Sequence, residues 1–269
     1  MAEVSFDAEM LDRLLVLLGD HDGDLCFLLP FFEDAMTASS MVQDVGSHGL
    51  HASNITAMDT EPVLRGNLIS AIFNGTDEHM EIPDNVLLTP ISGGVDAAFS
   101  VGLAFKMGAA NAADKVLICK WDDGIAEEWK LKLDANEYPT FSVMDQNATA
   151  ERGREDQTAV VANTWYIVIG TYDGRGTDTA EAGINIYRWD GATRGWDGAV
   201  DDTDANVGAG PYVDMEDLAQ PVMIGAQDDG GVVEEWFNGE MMLAFMTRRD
   251  LGATGARLVA EQMVRLMRL

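Results

Sequence analysis

Three short acidic clusters hold the residue types best suited to binding an ion. They are Asp122 and Asp123 in "KWDDG", Asp228 and Asp229 in "AQDDGG", and Asp201, Asp202 and Asp204 in "VDDTD". Calcium takes several oxygens, commonly loop carboxylates and backbone carbonyls. Asp122, Asp123, Asp228 and Asp229 are therefore the candidate calcium ligands, although no EF-hand spacing is present. The same pairs also read as solvated turns. A second chemistry is the stacking of aromatic rings on sugar. Trp189, Trp196 and Tyr212 lie in a Gly- and Asp-rich stretch and are the candidate carbohydrate contacts; packing of that stretch onto the fold is the alternative.

Catalytic patterns do not emerge. Glycoside hydrolysis needs two carboxylates flanking the scissile bond, and on one strand these would be alternate residues sharing a face. "AEEWKLKLD" has adjacent acids followed by lysines, and "VVEEWF" sets Glu234 and Glu235 on opposite faces of a strand. No Ser-His-Asp set suggests itself. His48 and His51 flank Gly49 in "SHGLH", which reads as a turn. Cys26 and Cys119 form no CxxC pair and sit among apolar neighbours, as buried free thiols do; a disulfide between them stays open. The expectation is a non-enzyme that requires no cofactor beyond a possible calcium.

The chain has 269 residues, with 46 acids against 17 bases and a net charge of -29. Such a surface repels phosphate, which excludes nucleic acid as a partner and disfavours anionic membranes. No apolar run approaches the roughly 18 residues of a membrane span. The first twenty residues lack the basic start of a secretory signal.

The elements that must position these residues are mostly short strands. Leu11, Leu14, Leu15 and Leu18 recur at helical spacing, predicting a helix over 8–18 within an N-terminal arm, residues 1–22. Ser5 or Asp7 would cap it. Its apolar stripe suits either the body of the chain or a neighbouring subunit, and is the candidate assembly contact. Residues 23–269 then alternate strand-like runs with Asn-Gly and Asp-Gly turns, the pattern of an all-β antiparallel sandwich. In "WKLKL", Trp129, Leu131 and Leu133 face one way, and Lys130 and Lys132 face a wet side. Asp173-Gly174 reads as a hairpin turn. Residues 189–220 read as a long acidic loop insertion, and 254–269 as a C-terminal helix capped by Thr254.

Several runs come in a telling order: "AIFNGTDEHMEIP", "FSVGLAFKM", "KVLICKWD", "NTWYIVIGTYDG", "INIYRWDG", "PVMIGA" and "FNGEMMLAFMTRRDL". Together they resemble the successive strands of laminin-G-like, concanavalin A-like lectin jelly rolls. The resemblance spans about residues 24–269. It implies a jelly-roll sandwich, with calcium at the rim through loop aspartates where the ion is used. Such domains recur on tailed-phage and related virus particles. The expectation is therefore a structural or decoration protein of a virion capsid or tail, located on the particle. Its partners would be other virion proteins and copies of itself. The alternative is a carbohydrate-binding, adhesin-type module that recognises host glycans and possibly uses calcium.

Overall fold

The computed structural model describes residues 8–30, 41–54, 59–62, 69–198 and 205–267. Ser5 and Asp7, and the cluster Asp201, Asp202 and Asp204, lie outside them.

Two antiparallel sheets stack face to face, and two helices cover the outside of one. The helix-covered sheet runs Gly195–Gly198, Ile184–Asp190, Trp165–Tyr172, Phe99–Met107, Asn238–Thr247, Ile69–Asn74, Asp59–Pro62. Strand Asn238–Thr247 is long enough to pair with Ile69–Asn74 through its first half and with Leu25–Pro30 through its second. The second sheet runs Ala205–Val207, Ala150–Glu155, Pro139–Asp145, Ala126–Leu133, Lys115–Asp122, Val222–Ile224, Met80–Ile82, Ala52–Asn54, Met41–Val42. This is the all-β sandwich with terminal helices that the turn-punctuated strands predict.

Period-two alternation builds the core between the sheets. Phe99, Val101, Leu103, Phe105 and Met107 point inward from one strand, and Trp129, Leu131 and Leu133 from the opposite sheet. Gly170 leaves room for the Phe141 ring of the opposite sheet. A Cβ there would meet that ring at 2.5 Å, so a larger residue would force the ring to shift.

The outward residues of the first sheet are apolar too. Ala104, Ile167, Ile169, Tyr187 and Trp189 form a second core with helix α1 (Ala8–Leu18) and helix α2 (Gly252–Met267). This is why "WYIVIGTY" is apolar almost throughout: both faces of the strand are covered. Gly19 ends α1 in the left-handed conformation, with φ of 85°. The helices run antiparallel. Gln262 donates to the Met10 carbonyl at 2.9 Å, while Thr247, just before α2, donates to the Leu18 carbonyl at 2.6 Å.

Four local expectations are corrected. The lysine face of "WKLKL" is not wet. Lys130 is buried, 4.1 Å from the Trp121 ring centre, and donates to Gln227 at 2.9 Å; a hairpin, Gln227–Asp229 with Val232–Glu234, flanks this face. Asp173-Gly174 is no two-residue hairpin, because a 3-10 helix, Thr177–Gly183, intervenes before the paired strand. α2 starts at Gly252, whose N–H is taken by Asp250 at 2.9 Å, so Thr254 lies inside the helix. Residues 189–220 are not one loop: they include the end of one strand and two further strands, Gly195–Gly198 and Ala205–Val207, on different sheets.

Candidate functional site

The two aspartate pairs meet. Asp122 ends its strand in parallel register with Asp228, and the Asp123 N–H donates to the Asp228 carbonyl at 2.9 Å. The carboxylates of Asp122, Asp123 and Asp228, however, are already occupied. Asp122 accepts from the Gly230 N–H and the Gln220 side-chain amide, each at 2.7 Å, and Asp228 accepts from the Gly231 N–H at 2.8 Å. Asp123 takes the Trp121 indole N–H at 3.3 Å, and Asp229 is exposed. These bonds tie two turns together. Among the described residues, no group of three or more His, Cys, Asp or Glu is placed to hold a metal ion.

The expected aromatic platform is dispersed. Tyr212 is buried in the inter-sheet core, with its hydroxyl donating to Asp96 at 2.7 Å. Trp189 is buried in the core under the helices. Trp196 is half-buried and stacks on Tyr187, ring centres 6.0 Å apart and planes 3° from parallel. An exposed role for Trp189 and Tyr212 is thus corrected: their rings serve packing, where each buries a large apolar area. Of the two readings of the leucine stripe, the structure shows packing on the body of the chain. Leu14 and Leu18 are fully buried against the chain's own sheet and α2, and Leu11 and Leu15 pack beside them. Burying each of the first two contributes roughly 1.5–3 kcal/mol. Cys26 and Cys119 are free, buried and in different clusters, and burial pushes both thiols up to about 12.

Two open clefts of the sandwich itself, among the described residues, are places for a ligand. One, of about 250 Å³, lies beside the start of strand Trp165–Tyr172. It is lined by Asn163, Thr164, Trp165, Arg194 and the Gly191 turn, with the edge of Trp189 at its base. Asn163 and Arg194 sit at turns with φ of 61° and 52°, and both residues are exposed. The Asn163 amide, the Thr164 hydroxyl and the Arg194 guanidinium have no hydrogen-bond or ion-pair partner among the described residues. Trp165 is half-buried, with the Lys106 ammonium 5.5 Å from its ring centre. Among the described residues, no carboxylate lines this cleft.

The other cleft, of about 450 Å³, lies at the sandwich rim beside residues 213–216. Its polar groups are all engaged. Asp145 accepts from the Ala148 and Val213 N–H groups, each at 2.8 Å. Glu216 takes the Gln146 N–H at 2.8 Å and the Asn147 amide at 2.5 Å, and Asp214 takes the Asp96 N–H at 3.1 Å.

Those contacts belong to a larger fastening. Residues 208–221 have neither helix nor strand, so their backbone groups need other partners. Buried carboxylates supply them. Asp96 takes the Met215 N–H and the hydroxyls of Tyr172 and Tyr212, all at 2.7 Å. Glu128 takes the Leu218 N–H at 2.9 Å and the Thr89 hydroxyl at 2.7 Å, and is ion-paired with the buried Lys120. Burial raises the Asp96 carboxyl and pushes Glu128 up to about 7, outweighing Lys120 and the donors that favour its charge.

Sequence reasoning missed Asn163, Thr164 and Arg194 as a set. The cue was faint: two small polar residues directly before an aromatic strand, and one arginine in an otherwise Gly- and Asp-rich turn. Nothing in spacing along the chain shows that the two turns lie side by side.

No family model matches the sequence, and no curated protein matches it. Solved structures do. A botulinum neurotoxin serotype D binding domain is 12% identical with a TM-score of 0.58, over 93% of this chain and 53% of that chain. The binding domain of botulinum neurotoxin DC in complex with SialylT is 10% identical with a TM-score of 0.56, over 89% of this chain and 52% of that chain. The same domain in complex with rat synaptotagmin II is 10% identical with a TM-score of 0.58, over 90% and 52%. The chain thus spans about half the length of these neighbours, and at such identity the likeness establishes the fold alone. That fold is an antiparallel, jelly-roll-type β-sandwich. No described helix is long and apolar enough to cross a membrane.

Proposed function

We propose that this chain is a non-enzymatic carbohydrate-binding module, and that the cleft beside Trp165 receives the sugar. The observation that carries the reading is a set of side chains there without partners among the described residues. An amide, a hydroxyl and a guanidinium line the cleft together with a half-buried indole, the mix of a few polar groups and an apolar wall that small-ligand sites use. In support, the structural neighbours are receptor-binding domains, one of them a complex with SialylT. The unmatched half of each neighbour is as long as the matched half, so their ligands support the class of function and not a particular glycan. Arg194 and the absence of a lining carboxylate favour a carboxylate-bearing glycan over a neutral one. A virion decoration role finds no support among these neighbours.

A glycan array probed with the whole protein tests the reading, followed by calorimetry on the best ligand. Sialylated or uronate-containing glycans are expected to lead. Arg194→Ala and Asn163→Gly should each weaken binding at least tenfold while leaving the melting temperature unchanged. An empty array would overturn the module; full affinity in both variants would move the site elsewhere.

A further inference from the structure

Strands Lys115–Asp122 and Ala126–Leu133 bury a lysine and a glutamate side by side. The Lys120 and Glu128 side chains are each 0% exposed and form an ion pair. A second carboxylate reaches the same ammonium: Asp84 Oδ1 lies 3.1 Å from Lys120 Nζ. Nζ also donates to the Thr89 hydroxyl at 3.0 Å and to the Leu218 carbonyl. Four acceptors thus face a group with three protons. The two acids differ in how they are held. Glu128 is fixed by the Leu218 N–H at 2.9 Å and the Thr89 hydroxyl at 2.7 Å, one on each oxygen. The Asp84 side chain is 38% exposed, and Lys120 is its one partner among the described residues.

We propose that Lys120 and Asp84 join in an amide bond within the folded chain, with Glu128 as the proton relay. An ammonium proton passes from Nζ to Glu128, and the freed lone pair attacks the Asp84 carboxyl carbon. The C–N bond forms and one C–O bond breaks. The leaving oxygen departs as water with two protons that the ammonium gave up, one of them handed on by Glu128. An ammonium and a carboxylate become an amide and water. Nothing is oxidised or reduced, and Glu128 ends as it began. The fold favours this step in three ways. It holds the amine against the carboxylate, which replaces a bimolecular encounter. Burial pushes the Glu128 carboxyl up to about 7, so it can take and return a proton near neutral pH. The amide removes a charge of each sign from a site where an ion pair is costly to keep from water, and the exposed side of Asp84 gives the released water an exit. Lys115 is the contrast. It is also buried and pairs with Glu137 at 2.9 Å, but its other partners are the Asn111 and Ala113 carbonyls. Without a second carboxylate to relay protons, it stays an ion pair. The Lys120 bond ties the residues after strand Met80–Ile82 to strand Lys115–Asp122, across strand Val222–Ile224 that lies between them.

Mass spectrometry of the full chain, unfolded in acid after incubation at neutral pH, tests the proposal. The wild type should be one water lighter than its sequence, and a protease digest should keep the peptides of Asp84 and Lys120 joined. Asp84→Ala changes an exposed side chain, so it should keep the fold and show its full sequence mass. Glu128→Gln, which cannot relay a proton, should lose water at least tenfold more slowly. Lys115→Arg should keep the loss. A wild-type chain at full sequence mass overturns the proposal, and so does a water loss that persists in Asp84→Ala. A folded Glu128→Gln that links at the wild-type rate overturns the relay. None of these outcomes depends on whether the Trp165 cleft binds glycan.

Discussion

The cleft beside Trp165 and the cleft beside residues 213–216 are both open and both lined with polar side chains. In the larger one, Asp145, Asp214 and Glu216 already hold backbone N–H groups of neighbouring turns. In the smaller one, Asn163, Thr164 and Arg194 hold nothing among the described residues. A carboxylate that satisfies a buried N–H is part of the fold, since removing it leaves that donor desolvated and unpaired. A side chain with no partner inside the protein costs the fold little to keep or lose, and is available to a ligand. Volume and acidity alone favour the other cleft.

That contrast can be broken by substitution, and the largest effect belongs to the fastened side. Asp96→Ala strips the partner from Tyr172, Tyr212 and the Met215 N–H at once. We expect a loss of more than about 3 kcal/mol in urea unfolding. A loss below about 1 kcal/mol would mean that residues 208–221 are held by something else.

Next comes pH. The Glu128 carboxyl sits at about 7 in the folded chain against an ordinary value of 4.5. Between those values the native state binds this proton more tightly than the unfolded chain does. The group's contribution to stability is therefore fully present below about 4.5 and lost as pH rises through about 7. The effect is of order 3 kcal/mol. Urea midpoints of wild type and Glu128→Gln at acid and neutral pH should diverge by this trend, with the variant flatter. Parallel pH profiles would show that Glu128 does not titrate in this window.

Asp122→Ala should cost about 2 kcal/mol in calcium-free buffer, because its oxygens hold Gly230 and Gln220 without an ion. If the cost appears only when calcium is present, the aspartate is a ligand and the turn reading fails. The smallest effect on stability is expected on the open side. Arg194→Ala should change unfolding free energy by no more than about 0.5 kcal/mol, even as it removes glycan affinity. Destabilisation well beyond that would place Arg194 with the fastened residues and weaken the contrast.

Much of the architecture was legible along the chain. Leu11, Leu14, Leu15 and Leu18 marked α1, and Trp129, Leu131 and Leu133 marked an inward strand face. The misreadings share one cause. Alternation shows which residues share a face but not what covers it, so Lys130 was placed in water when Gln227 and Trp121 enclose it. Trp189 and Tyr212 look like ligand contacts in the sequence because their neighbours are Gly and Asp. Those glycines and aspartates let the chain return to the sandwich and bury the rings.

By itself the sequence determined the strand periodicity, the two terminal helices, the acidic surface and the absence of a recognisable catalytic pattern. These follow from local rules, in which residue type and spacing act within a few positions. Tertiary structure alone decided which aspartates are spent and which polar groups stay free, because hydrogen-bond partners such as Asp96 and Met215 lie more than a hundred residues apart. It also decided that the leucine stripe of α1 packs against the chain's own sheet and α2. Burial and pairing are properties of neighbours in space, and a linear pattern records only neighbours in sequence.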